Sequence, residues 1–312
     1  MLAGTLALKL LLFIAIGFAV TKLKVVAGDF NKQFTKFLTS IILPCMIVNS
    51  MYGMDYSLEE LKNCAYLLLL SVAFLVIEFI MGQIAYLLAG KNGSARIMRF
   101  GMIFTNFSFM GFPVVEALYG NQGIFYFAIF LVPIRIFYYS SAKALLSPPD
   151  ENTKKESLLT VAKKTLNPSI VAVFVGVFFY LTGLRLPDTI SYVMSSLAAT
   201  CSPLGMMLCG ITLGYYPLKK LLQIRYFRLT LIRNFLIPTV FYVLAWATNL
   251  PKDLAQIVII CAALPVSTLM VAFCVQYDPD PESNFESAGS VFYSTLISIA
   301  TIPLWYHLAG VL

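Results

Sequence analysis

Long apolar runs alternate with short polar connections from one end of the chain to the other. A run of about 20 apolar residues is what crossing roughly 30 Å of hydrocarbon requires. Ten runs meet that description: 4–21, 34–53, 65–89, 99–118, 122–146, 167–182, 189–214, 228–248, 253–275 and 286–310. The pattern predicts an all-α polytopic membrane protein of about ten transmembrane helices. The fourth and fifth runs are separated only by the turn Tyr119-Gly120-Asn121-Gln122. The longest polar connection, 147–166, contains Pro148-Pro149-Asp150-Glu151 and reads as a linker between two halves. It divides the chain into a first five-helix repeat, 1–146, and a second, 167–312. The apolar stretch Leu6 to Val20 lacks a small-residue cleavage site followed by a polar mature domain, so it reads as the first span and not as a removable signal.

Composition strengthens this reading. The 312 residues are 59% hydrophobic and 12% charged, with mean hydropathy +0.83, where a soluble domain carries about a quarter charged residues. The formal charge of +7 would suggest nucleic acid in a soluble chain, but here the basic residues fall in the connections. After the first and third spans come Lys22, Lys24, Lys32 and Lys36, then Lys91, Arg96 and Arg99. After the fifth and seventh come Lys143, Lys154, Lys155, Lys163 and Lys164, then Lys219, Lys220, Arg225 and Arg228. The opposite side holds only Lys62, Arg185 and Lys252. Sixteen against three sets the orientation by the positive-inside rule: both termini outside the cell membrane, the linker 147–166 in the cytoplasm. The acidic connection Asp278, Asp280, Glu282, Glu286 counts little in that rule. Nucleic acid is not an expected partner; the lipid bilayer is.

Five spans per half is an odd number, so a duplicated half must insert upside down. Prolines support the duplication: Pro44 and Pro113 lie in the second and fourth spans, Pro203 and Pro265 in the seventh and ninth. Two such pairs in corresponding spans are the mark of inverted repeats.

The fourth span reads Thr105-Asn106-Phe107-Ser108-Phe109-Met110-Gly111-Phe112-Pro113. Proline removes a backbone donor and clashes with the preceding turn, and Gly111 lies two places before it, so a break is expected there. The ninth reads Ala263-Leu264-Pro265-Val266-Ser267-Thr268, again with proline at mid-span beside hydroxyls. Breaks in hydrocarbon are tolerated only where protein or a cavity satisfies the freed groups, and the N-termini of half-helices attract anions. Two breaks meeting at the centre would form a binding site; two simple kinks are the plainer alternative. Among charges inside spans, Arg135 lies deepest, where a guanidinium suits a carboxylate ligand or, equally, a buried pair with Glu78 or Glu116. Arg233 reads as a snorkelling side chain, Glu116 as a residue near the outer surface or a carboxylate that takes up a proton during the cycle, and Asn49 as a polar group lining the cavity or packing on a neighbour.

Other chemistry finds little support. Six cysteines (Cys45, Cys64, Cys201, Cys209, Cys261, Cys274) lack metal-ligand spacing and read as small packing residues, and His307 is the single histidine. There is no glycine-rich phosphate loop and no Ser-His-Asp constellation. Neither an enzyme nor a pump is expected, and no cofactor or metal.

At the stretches Asn106 to Pro113, Gly120-Asn121-Gln122-Gly123, Asn167-Pro168, Ser202 to Gly210, Ala262 to Pro265 and Ser294 to Pro303, the sequence resembles the auxin efflux carrier family in its compact bacterial form. The resemblance implies two inverted five-helix repeats, related in fold to bile-acid/sodium symporters, with the fourth and ninth helices broken and crossing at the midplane. It implies a scaffold domain from helices 1, 2, 6 and 7, and a transport domain from helices 3–5 and 8–10. It further implies elevator-type transport of small organic anions, carboxylates such as malate, malonate or auxin-like acids, and a homodimer. Asn106, Pro113 and Pro265 match the crossing positions. Val266-Ser267-Thr268 departs from the asparagine that relatives often carry there. Expected substrate-binding residues are therefore Asn49, Asn106, Ser108, Gly111, Pro113, Arg135, Pro265, Val266, Ser267 and Thr268. A proton or sodium ion is the candidate coupling ion. A non-transporting sensor or lipid-binding protein with a transporter fold is the alternative, and would be expected to carry an output domain.

Overall fold

The computed structural model describes residues 2–26, 28–90, 93–148, 166–278 and 280–312. Most of the linker 147–166, with Lys154, Lys155, Lys163 and Lys164, lies outside them, as does Lys91. The described residues are helical, with a single isolated β-bridge. The helices are α1 (Leu2–Lys22), α2 (Phe30–Met51), α3 (Leu58–Leu88) and α4 (Gly93–Ile103). The run Phe107–Leu146 follows, divided at Gly120 into α5 (107–119) and α6 (121–146). Then come α7 (Pro168–Thr182), α8 (Asp188–Gly214), α9 (Ile224–Ala247), α10 (Lys252–Ala263), α11 (Leu269–Tyr277) and α12 (Pro281–Ala309). By length and composition, six helical runs among the described residues suffice to cross a membrane: Phe30–Met51, Leu58–Leu88, Phe107–Leu146, Asp188–Gly214, Ile224–Ala247 and Pro281–Ala309. This is a multi-pass membrane protein.

Gly120 explains how the 40-residue run fits. Straight, it would reach about 60 Å, twice the hydrocarbon thickness. Gly120 takes φ 61° and ψ −152°, a conformation open to glycine, and folds the run back on itself. The Phe112 and Phe127 rings consequently meet at 5.2 Å between centroids.

Three prolines are seated by one device. A turn of π-helix spans Leu38–Ile42, Phe107–Gly111 and Ile232–Leu236, and in each case proline follows two residues later, at Pro44, Pro113 and Pro238. The proline ring clashes with the carbonyl four residues back and leaves it without a donor. Widening the turn before it relieves both problems at a small loss of regularity. The break expected at Gly111-Phe112-Pro113 is therefore absorbed, and Pro113 sits in the first turn of the helix that continues from Phe112. The interruption falls earlier, at residues 104–106, between α4 and α5. In the ninth run it falls where expected, around Pro265, between α10 and α11.

The polar stripes point inward. On α3, Leu67, Ser71, Phe74, Glu78 and Gly82 are buried, while Val72, Val76, Ile80 and Ile84 face out. On α12 the buried positions Ser283, Ser287, Ser290, Ser294, Ser298 and Thr301 form a hydroxyl stripe at helical spacing. With lipid as solvent, such groups are satisfied only from inside the bundle. Close backbone approach supports the packing of α1 on α8. A Cβ added at Gly17 would lie 2.0 Å from the Met207 carbonyl oxygen, and one at Gly210 the same distance from that of Ile14. On the other side, Gly176 of α7 admits Met51 of α2, whose Sδ would meet an added Cβ at 2.5 Å.

Candidate functional site at the two helix breaks

The two interruptions meet. Thr105 and Val266 form the antiparallel bridge. The Asn106 amide donates to the Pro265 carbonyl at 2.8 Å, and the Ser267 amide to the Phe104 carbonyl at 3.3 Å. Each break thus supplies partners for backbone groups that the other has freed, as irregular backbone in hydrocarbon requires. Side chains continue the match. Thr268 Oγ1 donates to Asn106 Oδ1 at 3.4 Å, and Asn106 Nδ2 to Cys209 Sγ of α8 at 3.3 Å. The Val266 amide donates to Ser294 Oγ at 3.2 Å, and Ser267 Oγ lies 2.6 Å from the Tyr138 hydroxyl of α6.

The ends of the interrupted helices are held by Arg233. Its guanidinium donates to the carbonyls of Met102 (2.7 Å) and Ala262 (3.2 Å), in the last turns of α4 and α10, and of Leu264 (3.3 Å), just past the end of α10. The same group pairs with Glu78 Oε1 at 2.7 Å. Arg233 is 0% and Glu78 1% exposed. The snorkelling expected of Arg233 is thereby corrected. Its π-helical turn aims the side chain into the bundle, where a carboxylate and three orphan carbonyls outbid the interface. This role was missed in the sequence, although a carboxylate buried in a facing span was the signal for it.

With Glu78 committed to Arg233, Arg135 does not pair with it. Glu116 accepts from the Ser202 hydroxyl of α8 and is half-buried, and it gives Arg135 no hydrogen bond among the described residues. Arg135 is 1% exposed, and its Nε, Nη1 and Nη2 all lack a hydrogen-bond partner among the described residues. The guanidinium lies over the rings of Phe112 and Phe107, 5.2 and 5.6 Å from their centroids, against the π-turn that follows the first break. Two cation–π contacts contribute about 2 kcal/mol each when desolvated. The effective cost of burying a cation is several kcal/mol, before the unmade hydrogen bonds are counted. Arg135 is thus a buried guanidinium held by two aromatic faces, with no hydrogen-bond partner among the described residues.

Of the residues predicted to form a site, the structure gathers Asn106, Ser108, Gly111, Pro113, Pro265, Val266, Ser267 and Thr268 around the breaks, with Arg135 beside them. Ser108 is buried. Gly111 is needed for close approach, since an added Cβ would fall 2.8 Å from both Leu264 Cδ1 and Phe127 Cζ. Asn49 stands apart: it is half-buried on α2 and makes no hydrogen bond to the crossing residues. Tyr138, Cys209 and Ser294 join the cluster without having been foreseen. The six cysteines are free, five of them buried.

Comparison with known proteins agrees with this architecture. A family model described as membrane transport protein matches residues 4–306. The chain is also 25% identical over 308 residues to an uncharacterized transporter of Methanothermobacter thermautotrophicus, covering 96% of this chain and 95% of the relative. A match over nearly the whole chain places this protein in the membrane transport protein family, that of the auxin efflux carriers.

Proposed function

We propose that the protein is a secondary transporter of small organic anions, carboxylates of the malate, malonate or auxin-like kind, with Arg135 as the counter-charge at the crossing. The observation that carries the reading is the buried guanidinium of Arg135, whose three nitrogens have no hydrogen-bond partner among the described residues. A planar fork of donors suits a carboxylate in two-point contact. A neutral substrate would leave the charge uncompensated.

In this reading there are ten spans in two inverted halves: α1, α2, α3, α4 with α5, and α6; then α7, α8, α9, α10 with α11, and α12. Both termini lie outside, and the linker is cytoplasmic. The close packing of α1 on α8 and α2 on α7 supports a scaffold made of those four helices. The guanidinium of Arg233, bonded to α3, α4 and the end of α10, supports a second unit that moves as one body. Elevator-type movement would carry the crossing between the two sides, with a proton or sodium ion as coupling partner and a homodimer as the assembly. The crossing is closed: Asn106 and Arg135 are buried, which supports an occluded conformation.

The test is counterflow in proteoliposomes with labelled malate, malonate and an aromatic acetate in turn. Accumulation of one of them supports the reading. Uptake of none by folded protein overturns the substrate class.

A further inference from the structure

A groove of about 390 Å³ opens on the outer surface of the bundle between α3, α4 and α9, away from the crossing. Its walls are apolar: Ile84 and Leu88 on one side, Ile232 and Leu236 on the other, with Met98 and Met102 between. The one charged residue lining it is Arg228. Arg228 is exposed and has no carboxylate partner among the described residues, unlike neighbouring Arg225, which pairs with Glu282. Arg228, Ile232 and Leu236 recur at four-residue spacing along α9, so the guanidinium stands at one end of an apolar wall about 12 Å long.

That polarity suits a lipid with an anionic head group and an acyl tail. Arg228 shares the groove with Leu88 and Ala89 at the C-terminal end of α3, which the basic stretch with Arg96 and Arg99 follows in sequence. In the orientation proposed above, those charges put this end at the cytoplasmic leaflet, the one rich in anionic lipid. From there the wall descends into hydrocarbon.

We infer that this groove binds an anionic phospholipid of the cytoplasmic leaflet, its phosphate on Arg228 and an acyl chain along Ile232, Leu236 and Met102. The site has a route to the crossing. The Met102 side chain lines the groove, while its carbonyl accepts from Arg233 at 2.7 Å. A bound acyl chain therefore packs on the penultimate residue of the first interrupted helix. The inference is independent of which solute the protein carries.

The test uses the full chain in detergent, titrated with phosphatidylglycerol or phosphatidylcholine and read by native mass spectrometry and thermal stability. One arginine at the membrane surface is worth roughly a fivefold preference for anionic lipid. Wild type should prefer phosphatidylglycerol by about that factor. Arg228→Ala should lose the preference, Arg228→Lys should keep most of it, and Ala85→Trp, which fills the groove, should lose retention of both lipids. Circular dichroism checks that each variant is folded. Equal retention of the two lipids by wild type, or an unchanged preference in Arg228→Ala, would overturn the assignment. So would cross-linking of two copies through Leu88→Cys, which would make the groove a protein interface.

Discussion

Glu78 of α3 and Arg233 of α9 meet at 2.7 Å inside the bundle, 155 residues apart in sequence. The pair matters for what it leaves over. Because Arg233 takes the buried carboxylate and carbonyls near the ends of both interrupted helices, Arg135 is left buried with no hydrogen-bond partner among the described residues. Two arginines in one hydrophobic bundle therefore have opposite energetic roles, one holding the fold and the other costing it.

Removing one partner of a buried pair typically costs about 3–5 kcal/mol. Arg233→Met should lower thermal stability by that order and loosen both breaks. Arg233→Lys should rescue little, because an ammonium cannot span three carbonyls and a carboxylate with fixed geometry. Thermal unfolding of the purified variants reads this directly. Stability equal to wild type in Arg233→Met would show that the carbonyls find other donors.

Arg135→Met should behave in the opposite way. It removes an uncompensated charge and leaves an apolar side chain between Phe107 and Phe112, so stability should hold or rise by about 1–3 kcal/mol. Anion binding should disappear. A fall in stability as large as that of Arg233→Met would make Arg135 a structural residue.

Gly210→Leu tests the close packing of α1 on α8. The first side-chain carbon would already meet the Ile14 carbonyl oxygen at 2.0 Å, so α1 must move away. Overpacking of this kind costs roughly 1–3 kcal/mol. Limited proteolysis should cut α1 faster in the variant than in wild type. An unchanged digestion pattern would show that the two helices slide freely.

The orientation is open to cysteine labelling. In a background without the native cysteines, Lys219→Cys should react with a membrane-impermeant maleimide only in inside-out vesicles, and Lys62→Cys only in intact cells. The reverse pattern would turn the topology over.

The helices, their order and both interruptions were legible in the sequence, because apolar length and mid-span proline are local signals. The position of the first interruption was not. Pro113 broke nothing, since a π-turn widened the helix ahead of it, and the true gap fell at residues 104–106. Pro44 and Pro238 follow the same rule, and no side-chain pattern before them announces it. The charges inside the spans were equally visible, but their pairing depends on how each helix is rotated. Glu78 has the inward stripe of Leu67, Ser71, Phe74 and Gly82 on its face, which announced burial without naming the partner. The hydroxyl stripe of α12, Ser283 to Thr301, has the helical period in plain sequence and was the missed signal for Ser294 at the second break.

The role proposed for Arg135 is that of counter-charge for a carboxylate at the crossing. Its most direct test is equilibrium binding of the labelled carboxylate that gives counterflow, measured on purified wild type, Arg135→Lys and Arg135→Met, all verified as folded. Saturable binding by wild type, weakened in Arg135→Lys and lost in Arg135→Met at undiminished thermal stability, is the result predicted here. Binding of equal affinity in Arg135→Met would contradict it.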